Sequence, residues 1–248
     1  MHHYSNAIQS YLKQHDYPNL DLKAVLFDMD GVLFDSMPIH AASWTQALVE
    51  MGVDFTEEEG YLHEGRTGSG TIGIVYRRSL GREATEEEIK KIYKRKSELF
   101  EAAPPAPVMP GAAELLKKVK TENLMRILVT GSGQKSLLTK LSHFFPDQFT
   151  QNKMVTAFDV TIGKPHPEPY LQGLKKSGVQ PNNVIVVENA PLGVQSAKAA
   201  GLFTIAVNTG KLQDHHLLDA GADLLFDSMN ALNDAWPELL QTFRNVKA

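Results

Sequence analysis

The chain of 248 residues contains no cysteine, which excludes disulfide bonds, thiolate metal sites and a cysteine nucleophile. It also lacks any run near the ~20 apolar residues that a membrane-spanning helix requires. No basic segment followed by an apolar stretch stands at its start, so no secretion signal is recognised. We therefore expect a cytoplasmic protein with no membrane partner.

A large excess of charge of one sign is also lacking. The 25 Lys and Arg residues and the 29 Asp and Glu residues leave a formal net charge of -4. These charges form no basic patch, which argues against nucleic acid as a partner. With 42% hydrophobic residues, the chain is long enough for a buried core and a smaller second module. Small-molecule chemistry is the function class that fits, while the oligomeric state stays open.

Short apolar runs, typical of buried parallel strands, alternate with helical patterns along the chain. The runs are AVLFDMDG after Lys23, RILVTGS near Met125, KMVTA near Met154, NVIVVEN near Val184, FTIAVN near Phe203 and ADLLF near Leu224. Alternation of strands and helices predicts right-handed crossovers. We therefore predict an α/β fold with a doubly wound parallel sheet.

Residues 36–105 break this alternation, because they have helical periodicity and no comparable apolar strand. The proline-rich stretch PPAPVMPG ends the interval and stiffens the return of the chain. We therefore predict a helical cap domain at 36–105, inserted into a core of residues 21–35 and 106–248. A separate N-terminal helix is predicted within residues 1–20, from apolar residues at helical spacing: Tyr4, Ile8, Tyr11 and Leu12.

Two carboxylates follow the first predicted strand, where ligands of an open α/β sheet collect. Asp28 can attack an electrophilic phosphorus and form an acyl phosphate. Asp30 can protonate the leaving oxygen and then deprotonate the attacking water. A lone DxDG motif is also compatible with a turn-capping role. The pair nevertheless predicts phosphoryl transfer once the other strand ends are considered.

Phosphate-binding groups follow at later positions. Thr130, Gly131 and Ser132 end the second predicted strand, and Lys164 lies in the loop GKPHPEP. A hydroxyl, main-chain N–H groups and a cation suit the phosphoryl oxygens.

A divalent cation is needed to bridge a carboxylate and a phosphate, and oxygen ligands favour Mg²⁺. The candidate ligands are Asp28, the Asp30 carbonyl and Asn189. A calcium-binding EF-hand loop starting at the DMDG motif is excluded, since its twelfth position is Ile39 instead of glutamate.

The chain resembles the haloacid dehalogenase superfamily of phosphohydrolases. Its four motifs are matched, from first to fourth, by DMDG, TGS, GKP and VEN. The resemblance covers about the whole chain after residue 20. It implies a Rossmann-like core and a Mg²⁺-dependent reaction through a phosphorylated Asp28. Asp30 would be the general acid and base, and Thr130 and Lys164 would bind phosphate. The fourth motif would complete the metal site, with Glu188 as a metal ligand or as an orienting group.

The segment DSMPIHAASW resembles the β-phosphoglucomutase-like branch and implies that His40 acts on the bound substrate from the cap hinge. Two departures from that branch stand out. Asn189 replaces the second acid of the fourth motif, and Glu64 stands where the mutases hold a second phosphate with a positively charged loop. Our hypothesis is that Glu64 supplies the missing carboxylate to the metal when the cap closes.

HEGRTG, VENAPLGV and VTAFD resemble the bacterial inorganic pyrophosphatases of this superfamily. This resemblance implies pyrophosphate as the substrate, with Lys96 facing the leaving phosphate from a cap helix. Arg66 either binds substrate phosphate or pairs with Glu64. The alternatives are a β-phosphoglucomutase, a phosphatase of another small phosphorylated metabolite such as a sugar phosphate, and a non-catalytic phosphometabolite-binding protein.

Overall fold

The computed structural model describes residues 2–133 and 135–248. Its sheet has six parallel strands in the order β3-β2-β1-β4-β5-β6. The strands are β1 Ala24–Phe27, β2 Met125–Val129, β3 Met154–Val155, β4 Val184–Glu188, β5 Phe203–Val207 and β6 Leu224–Phe226. Each coincides with one of the predicted apolar runs, so the predicted α/β fold is confirmed.

Eleven α-helices accompany the strands within the described residues. They are α1 His2–His15, α2 Met37–Val49, α3 Glu57–Leu62, α4 Gly68–Leu80, α5 Glu86–Ala102, α6 Ala112–Thr121, α7 Lys135–Phe144, α8 Glu168–Ser177, α9 Pro191–Ala199, α10 Asp214–Asp219 and α11 Met229–Asn245. Over this part of the chain, no helix combines the length and the hydropathy needed to cross a membrane.

Alternate residues of β1 pack on opposite faces of the sheet, as the two-residue period of a strand requires. Val25 and Phe27 belong to one apolar cluster, and Ala24 and Leu26 belong to another. All four side chains are buried because helices cover both faces. The strand order reverses between β1 and β4, and a crevice opens beyond the carboxyl ends at such a point.

The N-terminal helix packs on this core through the residues that the spacing identifies. Ile8, Tyr11 and Leu12 are buried in the larger cluster. The Tyr11 hydroxyl donates to the Gly201 carbonyl at 2.9 Å. The helix ends at His15, earlier than the predicted limit at residue 20, because Asp16 adopts a left-handed conformation with φ of 56°.

Helices α2 to α5 occupy the interval that lacks strands. Thr56 and Thr85 begin α3 and α5 with reciprocal capping boxes to Glu59 and Glu88, which explains where these helices start. The interval has its own apolar cluster, formed by Ala47, Leu48, Val53, Phe55, Ile72, Val75, Tyr76 and Ile92. A separate cluster is what an inserted cap requires, and the limits of 36 and 105 stay a prediction.

Candidate active site

The ends of β1 and β4 place two acidic residues side by side. Phe27 pairs with Val187, and the Asp28 N–H donates to the Val187 carbonyl at 3.0 Å. Asp28 and Glu188 therefore follow in register at the same edge of the sheet. Both side chains are buried, so each carboxylate requires a charged partner or several hydrogen bonds.

Lys164 is that charged partner for both carboxylates. Its Nζ lies 2.6 Å from Asp28 Oδ1 and 2.5 Å from Glu188 Oε1. The two carboxylates raise the pKa of the Lys164 ammonium although burial opposes them, so this cation stays charged. The pKa of Asp28 is also raised, because burial together with Glu188 and Asp30 outweighs Lys164. One ammonium does not fully neutralise this group of acids.

Glu188 already has four hydrogen-bond donors. The Tyr170 hydroxyl and Lys164 donate to Oε1, and the main-chain N–H groups of Asn189 and Ala190 donate to Oε2. Both carboxylate oxygens of Glu188 therefore already accept hydrogen bonds from buried residues. This arrangement favours the orienting role over direct metal binding, one of the alternatives that the sequence leaves open.

A chain of three ionisable side chains connects the cap to Asp30. Lys96 Nζ lies 2.8 Å from His40 Nδ1, and His40 Nε2 lies 3.2 Å from Asp30 Oδ1. An ammonium can only donate, so Nδ1 accepts and the ring proton resides on Nε2, directed at Asp30. The Ser36 hydroxyl donates to the same carboxylate oxygen at 2.6 Å. Asp30 is thereby fixed beside Asp28 with partners of its own.

The pKa values along this chain follow from burial and from these contacts. Burial tends to raise the pKa of Asp30, but His40, Ser36 and Lys96 outweigh it and lower that pKa. Burial lowers the pKa of Lys96 to about 8, and the Asp30 carboxylate opposes this change. Burial and Lys96 also lower the pKa of His40, despite Asp30. Asp30 therefore differs from Asp28, whose pKa is raised by burial and by the neighbouring acids. Because a nucleophilic carboxylate must be ionised, Asp28 requires more positive charge than Lys164 alone supplies.

The second strand brings the predicted phosphate-binding loop to the same place. Thr130 is buried, and its hydroxyl oxygen accepts from the Ser132 N–H at 2.9 Å. A Cβ atom at Gly131 would lie 2.7 Å from the Gly65 carbonyl of the cap. Gly131 therefore allows the cap loop to approach the core, and the structure is that of a closed cap.

Glu64 of the cap lies against Asn189 of the core. Asn189 Nδ2 donates to the two Glu64 carboxylate oxygens at 3.0 and 3.2 Å. The pKa of Glu64 is raised well above its usual range by burial and by the nearby Asp28 and Glu188. Asn189 Oδ1 is buried without a hydrogen-bond partner among the described residues. Pairing with Glu64, one of the two alternatives for Arg66, is absent because Glu64 contacts Asn189 instead.

The donor set fits a hard cation. The buried Asn189 Oδ1 has no partner within residues 2–133 and 135–248, and several carboxylates are grouped with too little positive charge. In the described part of the chain, no three His, Asp or Glu side chains form a complete metal cage by themselves. A Mg²⁺ ion would therefore combine side chains with a main-chain carbonyl and with substrate oxygens, as this ion often does.

The cap side contributes polar groups without partners, and one of them was not singled out from the sequence. His63, which was not singled out, and the predicted Arg66 have buried Nδ1 and Nε atoms with no hydrogen-bond partner in the described residues. The ring centroids of Trp44 and Tyr93 lie 6.2 Å apart, and both side chains line the pocket. Helical periodicity shows which cap face is buried, but it does not show that this face meets the strand ends.

The pocket between cap and core is narrow, with a volume of about 70 Å³. Predicted residues that line it are Asp28, Asp30, His40, Glu64, Arg66, Lys96, Gly131 and Ser132. Thr130, Lys164, Glu188 and Asn189 lie buried beneath them. All the predicted site residues are therefore gathered in one place.

The comparisons with known proteins agree with this arrangement. The profile of the haloacid dehalogenase-like hydrolases matches residues 25–207, which include the whole site. The chain belongs to the haloacid dehalogenase-like hydrolase family. A solved structure from Bacteroides vulgatus, provisionally named a beta-phosphoglucomutase, is 56% identical with a TM-score of 0.95, covering 98% of this chain and 99% of that one.

Two curated relatives of this haloacid dehalogenase-like hydrolase are more distant. The phosphorylated carbohydrates phosphatase of Thermotoga maritima is 30% identical and covers 86% of this chain and 97% of its own. The beta-phosphoglucomutase of Bacillus subtilis is 25% identical over 88% of this chain and 96% of its own. The chain is therefore an enzyme of the hydrolase and phosphatase type. These relatives favour the sugar-phosphate alternative and do not support the expectation of pyrophosphate.

Proposed function

We propose that this hydrolase is a Mg²⁺-dependent phosphatase of phosphorylated carbohydrates that acts through a phosphorylated Asp28. One observation carries the proposal: Asp28 and Asp30 lie in one buried site but have different partners. Lys164 contacts Asp28 at 2.6 Å, whereas His40 contacts Asp30 at 3.2 Å. Because each carboxylate is held by a different group, one can act as a nucleophile while the other carries a proton.

In the first step, an Asp28 oxygen attacks phosphorus and the bond to the leaving oxygen breaks. The protonated form of Asp30 gives its proton to that oxygen, so the alcohol leaves uncharged. In the second step, water attacks the phosphoryl group and gives a proton back to Asp30, while the bond between phosphorus and the Asp28 oxygen breaks and phosphate is released. Lys164 holds the Asp28 carboxylate, and Thr130 and the N–H groups of the following loop receive the phosphoryl oxygens.

The metal would be held by Asp28, the Asp30 carbonyl, Asn189 Oδ1 and Glu64. When bound, Mg²⁺ supplies positive charge that reduces repulsion between the carboxylates and the phosphate. Two observations support these ligands: Asn189 Oδ1 has no hydrogen-bond partner in the part of the chain that the structure describes, and a Glu64 oxygen lies 3.0 Å from Nδ2 of the same amide group. Glu64 provides the charge that an aspartate at position 189 would otherwise carry.

The substrate class rests on the relatives and on the cap wall. The curated relatives named above are a phosphorylated carbohydrates phosphatase and a beta-phosphoglucomutase. In this chain Trp44 and Tyr93 give the pocket an aromatic wall, which can pack on the C–H face of a sugar ring. Arg66 Nε, unpartnered among the described residues, would bind an oxygen of the substrate.

Pyrophosphate is the second candidate substrate, because of the size and charge of the closed pocket. Its volume of about 70 Å³ is far below the ~300–1,000 Å³ of pockets for larger ligands. Glu64 stands close to the metal ligands, where an acid repels a second phosphate of a bisphosphorylated sugar. Arg66 and Lys96 lie on the cap side and could balance the charge of a leaving phosphate.

A phosphate-release assay with Mg²⁺ tests the proposal on a panel of sugar phosphates, β-glucose 1-phosphate and pyrophosphate. We expect turnover that requires Mg²⁺ and is lost in Asp28→Asn. Asp54→Asn is the matched control, because Asp54 is an exposed cap residue. Full activity of Asp28→Asn would refute the proposed mechanism, and no turnover on the entire panel would refute the assignment as a phosphatase.

The same panel distinguishes the candidates. Faster phosphate release from sugar phosphates than from pyrophosphate supports the leading assignment. Faster phosphate release from pyrophosphate replaces it with the second candidate. Conversion of β-glucose 1-phosphate to glucose 6-phosphate without net phosphate release would identify a mutase and overturn both hydrolase assignments.

A further inference from the structure

The loop after β5 touches the turn that carries the catalytic acids. The Thr209 hydroxyl donates to the Gly31 carbonyl at 2.6 Å, across 178 positions of sequence. Gly31 follows Asp30 and has a φ of 78°, and a Cβ atom there would lie 2.0 Å from Asn189 Nδ2. Thr209 therefore contacts the turn at Gly31, which directly follows Asp30 and packs against Asn189.

The same loop also touches the cap. A Cβ atom at Gly210 would lie 3.1 Å from Tyr61 Cδ1 on α3. Two residues later, Leu212 is only 9% exposed and packs in an apolar cluster with Tyr61, Met37 and Ala41. These partners belong to α2 and α3, whereas Leu212 belongs to the core. The contact is therefore apolar, and it adjoins the substrate pocket, which Met37 also lines.

Helix α3 leads directly to Glu64. The Glu64 N–H donates to the Tyr61 carbonyl at 3.3 Å, and the Glu64 carboxylate contacts Asn189. The position of Tyr61 against the loop thus determines where Glu64 lies over the site. One loop contacts the element that carries Glu64 and the turn that carries Asp30.

The loop has internal bonds that hold its shape. Asn208 Nδ2 donates to the Leu212 carbonyl at 3.0 Å and to Asp214 Oδ1 at 2.6 Å. Lys211 pairs with Glu57 of the cap at 3.0 Å, but both side chains are more than half exposed. An exposed ion pair stabilises little, so the apolar contact of Leu212 dominates the docking.

We propose that residues 208–213 form the docking seat of the closed cap, with Leu212 and Thr209 as positioning residues. Leu212 keeps α3 and Glu64 in place over Asn189, and Thr209 keeps the Asp30 turn in the matching position. The proposal rests on the proposed function for its effect on turnover. Its structural part, that Leu212 keeps the cap closed, can be measured without any substrate.

Hydrogen exchange tests the structural part. In Leu212→Ala we expect the amides of residues 57–64 to exchange about tenfold faster, because a buried leucine contact is lost. Leu218→Ala is the matched control, since Leu218 is 50% exposed on the next helix. Unchanged exchange over 57–64, or an equal increase in β1 and β4, would overturn the proposal even if the enzyme hydrolyses no substrate.

Kinetics on the intact enzyme test the positioning role of Thr209. Thr209→Val should lower kcat about two- to tenfold with little change in KM, because one hydrogen bond to the catalytic turn is lost. Thr209→Ser keeps the hydroxyl and should recover most of kcat. A serine variant as slow as the valine variant, or a valine variant with wild-type kcat, would contradict the role of this hydroxyl.

Discussion

Replacing Lys164 with methionine removes the ammonium that lies 2.6 Å from Asp28 and 2.5 Å from Glu188. Methionine keeps much of the length of the lysine stem, so the change removes charge more than volume. All three wild-type side chains are buried, with Lys164 only 1% exposed. Water therefore cannot replace the lost cation without opening the structure.

The expected loss of stability follows from what remains at each carboxylate. Glu188 keeps three donors, from Tyr170 and from two main-chain N–H groups. Asp28 loses the ammonium that partly offsets its burial and the repulsion from Glu188 and Asp30. Removing one partner of a buried ion pair costs about 3–5 kcal/mol. We expect the free energy of unfolding of Lys164→Met to fall by about that amount.

Urea unfolding without added Mg²⁺ measures this change. Lys23→Met is the control, since Lys23 pairs with Asp21 while both are more than half exposed, and we expect a change of at most about 0.5 kcal/mol. A Lys164→Met protein that is as stable as the control variant would refute the claim that Lys164 neutralises buried acids.

Two further predictions concern other ionisable residues. Lys96→Met should lower kcat about ten- to a hundredfold, because His40 loses the donor that fixes its ring proton toward Asp30. Lys94→Met is the control and should leave kcat unchanged, since the Lys94 side chain is 80% exposed. An unchanged rate in Lys96→Met would contradict the positioning role. Burial and the nearby Lys198 lower the pKa of His15 below the ordinary histidine value of 6.5. The unfolded chain therefore binds a proton more readily, and the free energy of unfolding falls as the pH drops below 6.5. Between about pH 7.5 and about pH 5.5, the melting temperature should therefore fall more in the wild type than in His15→Gln. An equal fall in both proteins would contradict this prediction.

Much of the core side of the site was predictable, because each strand is a continuous apolar run with a polar end. Parallel strands bring such ends to one edge, which accounts for Asp28, Thr130 and Asn189. Lys164 is less determined by the strand pattern, since it lies in the loop GKPHPEP ahead of α8 and does not end a strand. In the structure, Lys164 Nζ lies 2.6 Å from Asp28 Oδ1.

The cap side was less predictable, because helical periodicity identifies a buried face but not its partner. Lys96 belongs to the basic run Lys94, Arg95 and Lys96, whose first member is exposed and whose second pairs with Glu50. Only Lys96 turns inward, to a histidine 56 positions away. No local pattern encodes a contact at that distance.

His63 and the loop of Thr209 and Leu212 were missed for the same reason. The contacts of Thr209 and Leu212 join segments that are far apart in the sequence, and His63 stacks on Phe55 within the cap where it lines the pocket. Each residue is unremarkable within its own element. Glu64 was identified from its departure from a family pattern, and its contact with Asn189 at 3.0 Å matches the hypothesis of a closing cap. Its binding to a metal stays a prediction.

The central claim is that Asp28 carries the phosphoryl group during turnover. Borohydride added during steady-state hydrolysis reduces an acyl phosphate to an alcohol, which converts the modified aspartate to homoserine. Peptide mass spectrometry should then find homoserine at position 28 with Mg²⁺ and substrate, and none in their absence. Homoserine at position 30, or continued turnover with unmodified aspartate at position 28, would contradict the account.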